Sequence, residues 1–437
     1  MHHWTLPLLL LTACPKTTPA PAVPEPPAAM EEEVPAAAPV LLEEARNLSL
    51  WRVEKGGAVN HFFGTCHLRL DLDEMLPEEH RPLLTRSRIF MNEARTDSLN
   101  GIEALQMLWN TTQLHETIGE DTFRALAIRL GPSVPTSMLT HFPSWAAAPL
   151  MGNPPPTEES GATTLPILDI ATENLARDSG VEIQSLETMQ EQIEIISSLD
   201  HQFTESLQQS IGQTEPSASA LALGPACLTG DGDKAYRLLS QENGEISREL
   251  LTARNQNWVK VLGEPLSEGG VFVAVGALHM FGPDGLLTVA ESQGYQVTQL
   301  QTRIPLSPAT RDAVERVIHS SAVQPAPPMD EASLAHWQDL LSEQLPTMIC
   351  TNPIMDCFRP DTATCEADVR RDLRACMLPM AHQLPGPEAD PSTVIGAVAQ
   401  CSGSSPIFSG IIEDTLTTGQ GCEQAEAVFE ALSQPAI

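Results

Sequence analysis

Between residues 47 and 303, short apolar segments alternate with longer helical ones, and four of the apolar segments run straight into a histidine or a glutamate. No other feature of the chain narrows the fold as much. Residues 48–53 alternate apolar and polar side chains with period two, Glu54-Lys55-Gly56-Gly57 is a turn signal, and residues 58–63 form a second strand. The pair predicts a β-hairpin that continues into Gly64-Thr65-Cys66-His67. Residues 87–93 read as a strand ending on Glu93, and residues 181–186 as one ending on Glu187. Val271-Phe272-Val273-Ala274-Val275 is apolar throughout, as a strand buried on both faces must be, and it ends in Gly276-Ala277-Leu278-His279. A last strand is expected over 296–300. Helices are expected at 77–86, through most of 101–150, and at 167–179, 189–211, 246–262 and 285–292. Strands alternating with helices predict an α/β (α+β) fold, a central mixed sheet flanked by helices.

In such sheets the ligand crevice lies beyond the carboxyl ends of parallel strands. His67, Glu93, Glu187 and His279 are therefore the candidate site residues. The form Gly-x-x-His occurs at 64–67 and again at 276–279. Glycine at the end of a buried strand permits a tight turn and a close approach, and the histidine three residues on can point above the sheet. Two such turns on neighbouring strands bring two imidazoles together. With Glu93 between them they make a two-histidine, one-carboxylate set suited to a divalent metal with open positions. Cys66 beside His67 suggests a nucleophile pair, but adjacent residues of an extended chain face opposite ways. Cys66 and Cys227 either pair or pack as small apolar residues.

Hydrophobic residues make up 42% of the 437, enough for a proper core. Acidic residues outnumber basic ones 57 to 24, for a net charge of −33. A field of that sign repels phosphate backbones, so nucleic acid is excluded as a partner.

The chain opens with a short apolar run, residues 4–13, that is well below the roughly 20 residues of a spanning helix and reads as the core of a signal peptide. Leu11-Thr12-Ala13-Cys14 resembles the bacterial lipobox, which implies lipidation at Cys14, membrane attachment through that lipid and a place in the cell envelope. No Asp follows Cys14, which favours the outer membrane. Residues 15–45 are rich in proline and alanine and read as an extended tether. The main domain then covers 46–303, a proline-rich linker 304–330, and a small helical domain 331–437. That last segment holds Cys350, Cys357, Cys365, Cys376, Cys401 and Cys422, which read as a disulfide framework of open pairing, since no C-x2-C pair points to zinc.

Leu50-Trp51-Arg52-Val53, Phe63-Gly64-Thr65-Cys66-His67, the strand into Glu93, Leu186-Glu187-Thr188 with Glu191-Gln192, Arg254-Asn255 with Trp258, and Val273 to His279 stand in the order of one known set of motifs. Together they resemble the TraB/PrgY/GumN family, whose animal relatives are the TIKI proteases. The resemblance covers about 47–303. It implies an erythromycin-esterase/ChaN-like fold and an active centre of His67, His279, Glu93 and Arg254. It further implies a metal-dependent hydrolase, most simply a peptidase with a peptide or protein substrate. One departure stands out: Arg95 occupies a position where relatives often carry an acid or an amide.

On this reading His67, His279 and Glu93 hold Mn²⁺, Co²⁺ or Zn²⁺. Glu187 serves as a general base or supporting carboxylate oriented by Gln192, and Arg254 meets negative charge. Two other readings fit the same residues: a metal-free hydrolase using a histidine base, and a lipoprotein that captures haem or another ligand without turnover.

Overall fold

The computed structural model describes residues 45–95, 107–110, 112–131, 134–152, 165–213, 215–320, 324–352, 355, 361–392, 394–399 and 401–403. Cys14, the tether, Cys357 and Cys422 lie outside the described residues.

Six strands form one mixed sheet in the order β4-β3-β5-β2-β1-β6. They are β1 (Arg46–Lys55), β2 (Ala58–Thr65), β3 (Ile89–Asn92), β4 (Glu182–Ser185), β5 (Val271–Gly276) and β6 (Gln296–Thr302). β1 and β2 make the expected hairpin, with Lys55 opposite Ala58, and β6 pairs antiparallel with β1. The other pairings, β2 with β5, β5 with β3 and β3 with β4, are all parallel. Four neighbouring strands therefore end on the same edge of the sheet, and they are the four that run into His67, Glu93, Glu187 and His279.

β5 lies between β3 and β2, so both its faces must be apolar. Alternation of side chains along the strand sends Val271, Val273 and Val275 to one face and Phe272 and Ala274 to the other. The first face packs against Trp258, Leu262 and Leu266 of the helix Arg254–Glu268 and against Leu286 and Ala290 of Leu286–Ser292. The second packs against Leu84, Leu168, Ala176 and Val314, from helices Arg81–Thr85, Leu168–Asp178 and Pro308–Ser320. Helices thus cover both faces of the sheet, as the sequence predicts.

Helix boundaries differ from expectation in instructive places. The predicted 77–86 helix shortens to Arg81–Thr85. The expected 189–211 helix breaks at Leu199 into Met189–Ser198 and Asp200–Ser210. Met189–Ser198 starts with a reciprocal cap, in which Thr188 Oγ1 accepts from the Glu191 N–H and Glu191 accepts from the Thr188 N–H. Ala218–Thr229 and Asp233–Glu242 lie outside the expected elements, and Gly224 and Pro225 interrupt the helical signal of the first.

A second, helical body stands beside the sheet. Helices Glu120–Leu130, Thr136–His141 and Ser144–Gly152 share one hydrophobic core with Glu331–Cys350 and Thr362–Met377 from the C-terminal region. Buried Trp337 donates to the Pro385 carbonyl at 2.8 Å. Buried Arg124 donates to the carbonyls of Leu378 (3.2 Å) and Pro327 (2.5 Å). The C-terminal region is helical and disulfide-linked, Cys350 to Cys365 and Cys376 to Cys401, and its core is common with the helices of 114–152. His141-Phe142-Pro143-Ser144-Trp145 belongs to this body: the His141 ring stacks on Trp109 at 4.0 Å and faces Asp372 at 3.4 Å. Among the described residues, no helix is long and apolar enough to cross a membrane.

Candidate active site

The parallel ladder continues beyond the strands: the Leu186 and Glu187 N–H groups donate to the carbonyls of Asn92 and Glu93, each at 2.9 Å. Glu93 and Glu187 consequently sit side by side. The turn after β5 brings His279 in from the other side, with His279 Nε2 3.8 Å from Glu93 Oε1. Gly276 permits this approach. Its N–H donates to Glu93 Oε1 at 2.7 Å, and a Cβ there would lie 3.2 Å from the same oxygen.

Arg254 fills the centre. It opens a helix directly after a π-helical turn, Arg248–Ala253, a widening of the kind often found at functional sites. Its Nη2 donates to Glu93 Oε2 at 2.5 Å and to Glu187 Oε1 at 2.6 Å, and its Nε donates to Glu187 Oε1 at 3.0 Å. Its Nη1 faces His279 Nε2 at 3.3 Å. The guanidinium lies over the Trp258 ring at 4.6 Å, while the Trp258 N–H donates to Glu187 Oε2 at 2.9 Å. The four side chains Glu93, Glu187, Arg254 and His279 are each at most 10% exposed.

The charges follow from these contacts. Burial pushes Glu93 up, but Arg254, His279, His67 and the Gly276 N–H overcome it and hold the carboxyl well below the usual carboxylate range. Burial raises Glu187 despite Arg254 and Trp258. Burial opposes the charge on Arg254, yet the two carboxylates hold its pKa above the ordinary value. Burial, reinforced by Arg254 and His67 and opposed by Glu93, lowers His279 to about 3, so its ring is neutral. The tautomer is fixed as well. Asn255 Nδ2 donates to the carbonyls of His279 (3.0 Å) and Asp284 (2.9 Å), so Asn255 Oδ1 is the acceptor for His279 Nδ1 at 2.7 Å. The proton therefore sits on Nδ1, and the Nε2 lone pair faces Arg254 and Glu93. Arg254, Asn255 and Trp258 thus have distinct duties within a single turn of helix.

His67 is placed differently. Its side chain is 70% exposed. Its Nδ1 faces Asp169 Oδ2 at 3.2 Å, and the Thr65 hydroxyl fixes the other carboxylate oxygen at 2.5 Å. Asp169 is the main cause that raises His67 to about 9, against burial. Asp169 stands in the first turn of the helix Leu168–Asp178 and is there the partner of His67. Gln192 was expected to orient Glu187, but it donates to Glu93 Oε2 at 3.1 Å. Cys66 is bonded to Cys227, so it supplies no thiolate. Arg95 is exposed.

The metal set can be tested against this geometry. His279 presents a neutral, oriented nitrogen and Glu93 an ionised carboxylate, both proper to a divalent cation. His67 is turned to Asp169, and Arg254 stands between the other two. Among the described residues, no group of three or more His, Cys, Asp or Glu side chains converges as a metal site. The expected ligands thus form no metal site as placed: His279 Nε2 and Glu93 Oε2 already accept from Arg254, which would have to withdraw, and His67, held by Asp169 through Nδ1, could serve only through Nε2.

No curated protein and no solved structure matches the chain significantly. A family model does match residues 49–299, which run from within β1 to within β6 and include every residue of the site, and on that match the chain belongs to the TraB/PrgY/gumN family.

Proposed function

We propose that this protein is a hydrolase of peptide bonds and that its active centre takes a divalent metal, Mn²⁺, Co²⁺ or Zn²⁺, at His279, Glu93 and His67. The observation that carries the reading is His279: a buried imidazole with its proton locked on Nδ1 by Asn255 and its pKa near 3 is a poor proton acceptor at neutral pH and a good neutral ligand. A metal held there supplies Lewis acidity and a more acidic bound water. The chain's own groups do the rest. Glu187, itself held by Trp258, fixes Arg254 through Nε and Nη2. Arg254 Nη1, which faces His279 Nε2 and the Leu250 carbonyl, is the group that would turn to the oxygen on which negative charge develops once the Nε2 lone pair is committed to a metal. In this reading His67 is a ligand and Asp169, at its Nδ1, orients the ring.

That last pairing supports a second reading without metal, in which Arg254 is the sole electrophile and His67 with Asp169 moves the proton. In either reading we propose an exported protein: disulfides at Cys66–Cys227, Cys350–Cys365 and Cys376–Cys401 suit an oxidising compartment, in line with the proposed lipid attachment at Cys14 to the cell envelope.

The test is to strip the purified chain of metal, reload it with Mn²⁺, Co²⁺ or Zn²⁺, measure metal content by mass spectrometry, and assay a peptide library. About one metal per chain, lost in His67→Ala and His279→Ala, with cleavage that requires it, is the expected result. Cleavage by the stripped protein at the same rate selects the second reading. No cleavage under any loading overturns the hydrolase assignment.

A further inference from the structure

We infer that the Cys66–Cys227 disulfide is a positioning element of the site, holding both Gly-x-x-His turns in their working arrangement. This rests on the reading of His67 and His279 as site residues. The bond spans 161 residues and joins the residue immediately before His67 to the helix Ala218–Thr229. β2 ends at Thr65, so the ladder to β5 stops there, with Thr65 opposite Gly276. From Cys66 onward the chain turns tightly, the Leu68 N–H donating to the Cys66 carbonyl at 2.6 Å.

The far end of the disulfide is well anchored. Gln299 of β6 donates to the carbonyls of both Thr229 and Leu48, each at 2.9 Å, pinning the end of the Cys227 helix to the sheet. That helix closes at Gly230 with φ 66°, where a Cβ would lie 2.8 Å from Trp51 of β1. The disulfide therefore ties a turn that has left the sheet to an element the sheet holds fixed.

It also reaches the second turn. Cys66, Cys227 and Ala277 form one small buried cluster, with Leu68 packed against it. Ala277 belongs to Gly276-Ala277-Leu278-His279. At Gly64, a Cβ would lie 3.1 Å from Ala277 Cα, so the two turns touch through their backbones. Loss of the sulfur pair loosens the Ala277 side of this contact and the His67 side together. A displacement on the order of 1 Å in a catalytic group can cost about 10²-fold in rate.

The experiment uses the full chain. Cys66→Ala/Cys227→Ala is compared with wild type and with Cys350→Ala/Cys365→Ala, which removes a disulfide from the helical body. Side-chain ¹H–¹⁵N spectra of the histidines report the His67 and His279 rings and need no substrate, so they remain decisive if the hydrolase assignment itself fails. In the Cys66/Cys227 variant the circular dichroism spectrum should persist, the His67 and His279 resonances should shift and broaden, and kcat should fall about 10²-fold with KM nearly constant. In the Cys350/Cys365 variant those resonances and kcat should match wild type. Wild-type resonances and kcat in the first variant, or equal changes in both, overturn the proposal. Should the first variant fail to fold, non-reducing peptide mapping of wild type decides: free thiols at Cys66 and Cys227 would remove the strut altogether.

Discussion

Replacing Arg254 with methionine is the sharpest single perturbation of this site. Methionine keeps much of the packing against Trp258 and removes the cation shared by Glu93 and Glu187. Lost are the donations from Nη2 to Glu93 at 2.5 Å and to Glu187 at 2.6 Å, and from Nε to Glu187 at 3.0 Å. Two carboxylates, each at most 10% exposed, then face each other without compensation. Removing one partner from a buried ion pair costs about 3–5 kcal/mol, and that range is expected here at neutral pH. The sign of the pH dependence follows by linkage. In wild type, Glu93 is held below its unfolded value, so its contribution to stability is present above that value, near 4.5, and is lost as the pH falls. In the variant both carboxylates move upward, because each has lost the guanidinium that favours its charged form. The folded variant therefore binds protons that wild type does not, and the stability gap between the two widens from pH 4.5 to pH 7.5. Urea unfolding followed by tryptophan fluorescence at those two pH values measures the gap. A constant gap, or a loss under about 1 kcal/mol at pH 7.5, would refute the reasoning, since it would mean the carboxylates do not depend on Arg254 for their charge.

Three further outcomes follow from the same geometry. Asn255→Ala removes the acceptor that keeps the proton on His279 Nδ1, and metal affinity measured by calorimetry should weaken about 10–100-fold; unchanged affinity would detach His279 from the metal. Asp169→Asn should bring His67 in metal-free protein from about 9 toward its ordinary 6.5, read by NMR titration; the stability His67 lends is full below 6.5 and lost as pH rises through about 9, so the variant's stability should be flatter over that window. Gly64→Ala places a Cβ 2.4 Å from Ser49 Oγ and 3.1 Å from Ala277 Cα, an overpacking worth about 1–3 kcal/mol; a thermal midpoint equal to wild type would show that the two turns are not in tight contact.

The sheet was legible because the pleat writes a local code. The hairpin of β1 and β2, the apolar run of β5 and the four chemical strand ends could each be read within a few residues. Glu93, Glu187 and His279 meet at the ends of their strands around Arg254, which only the family resemblance singled out, whereas His67, the other half of the Gly-x-x-His repeat, faces Asp169 instead. The pairing of Asp169 with His67 was not legible, because an acid at the start of a helix looks the same whether or not a histidine stands opposite, and their distance along the chain hides the contact.

Sequence alone determined the strands and the side chains at their ends, since periodicity, turn residues and strand termination act over short range. Tertiary structure alone decided the partners: Arg254 between two carboxylates, Gln192 on Glu93, His67 on Asp169, Cys66 bonded to Cys227, and the C-terminal helices packed into one core with those of 114–152. Those choices are made by sheet order and helix packing, which bring together residues far apart in the chain, and the energy that selects among them is realised only once the groups are buried side by side.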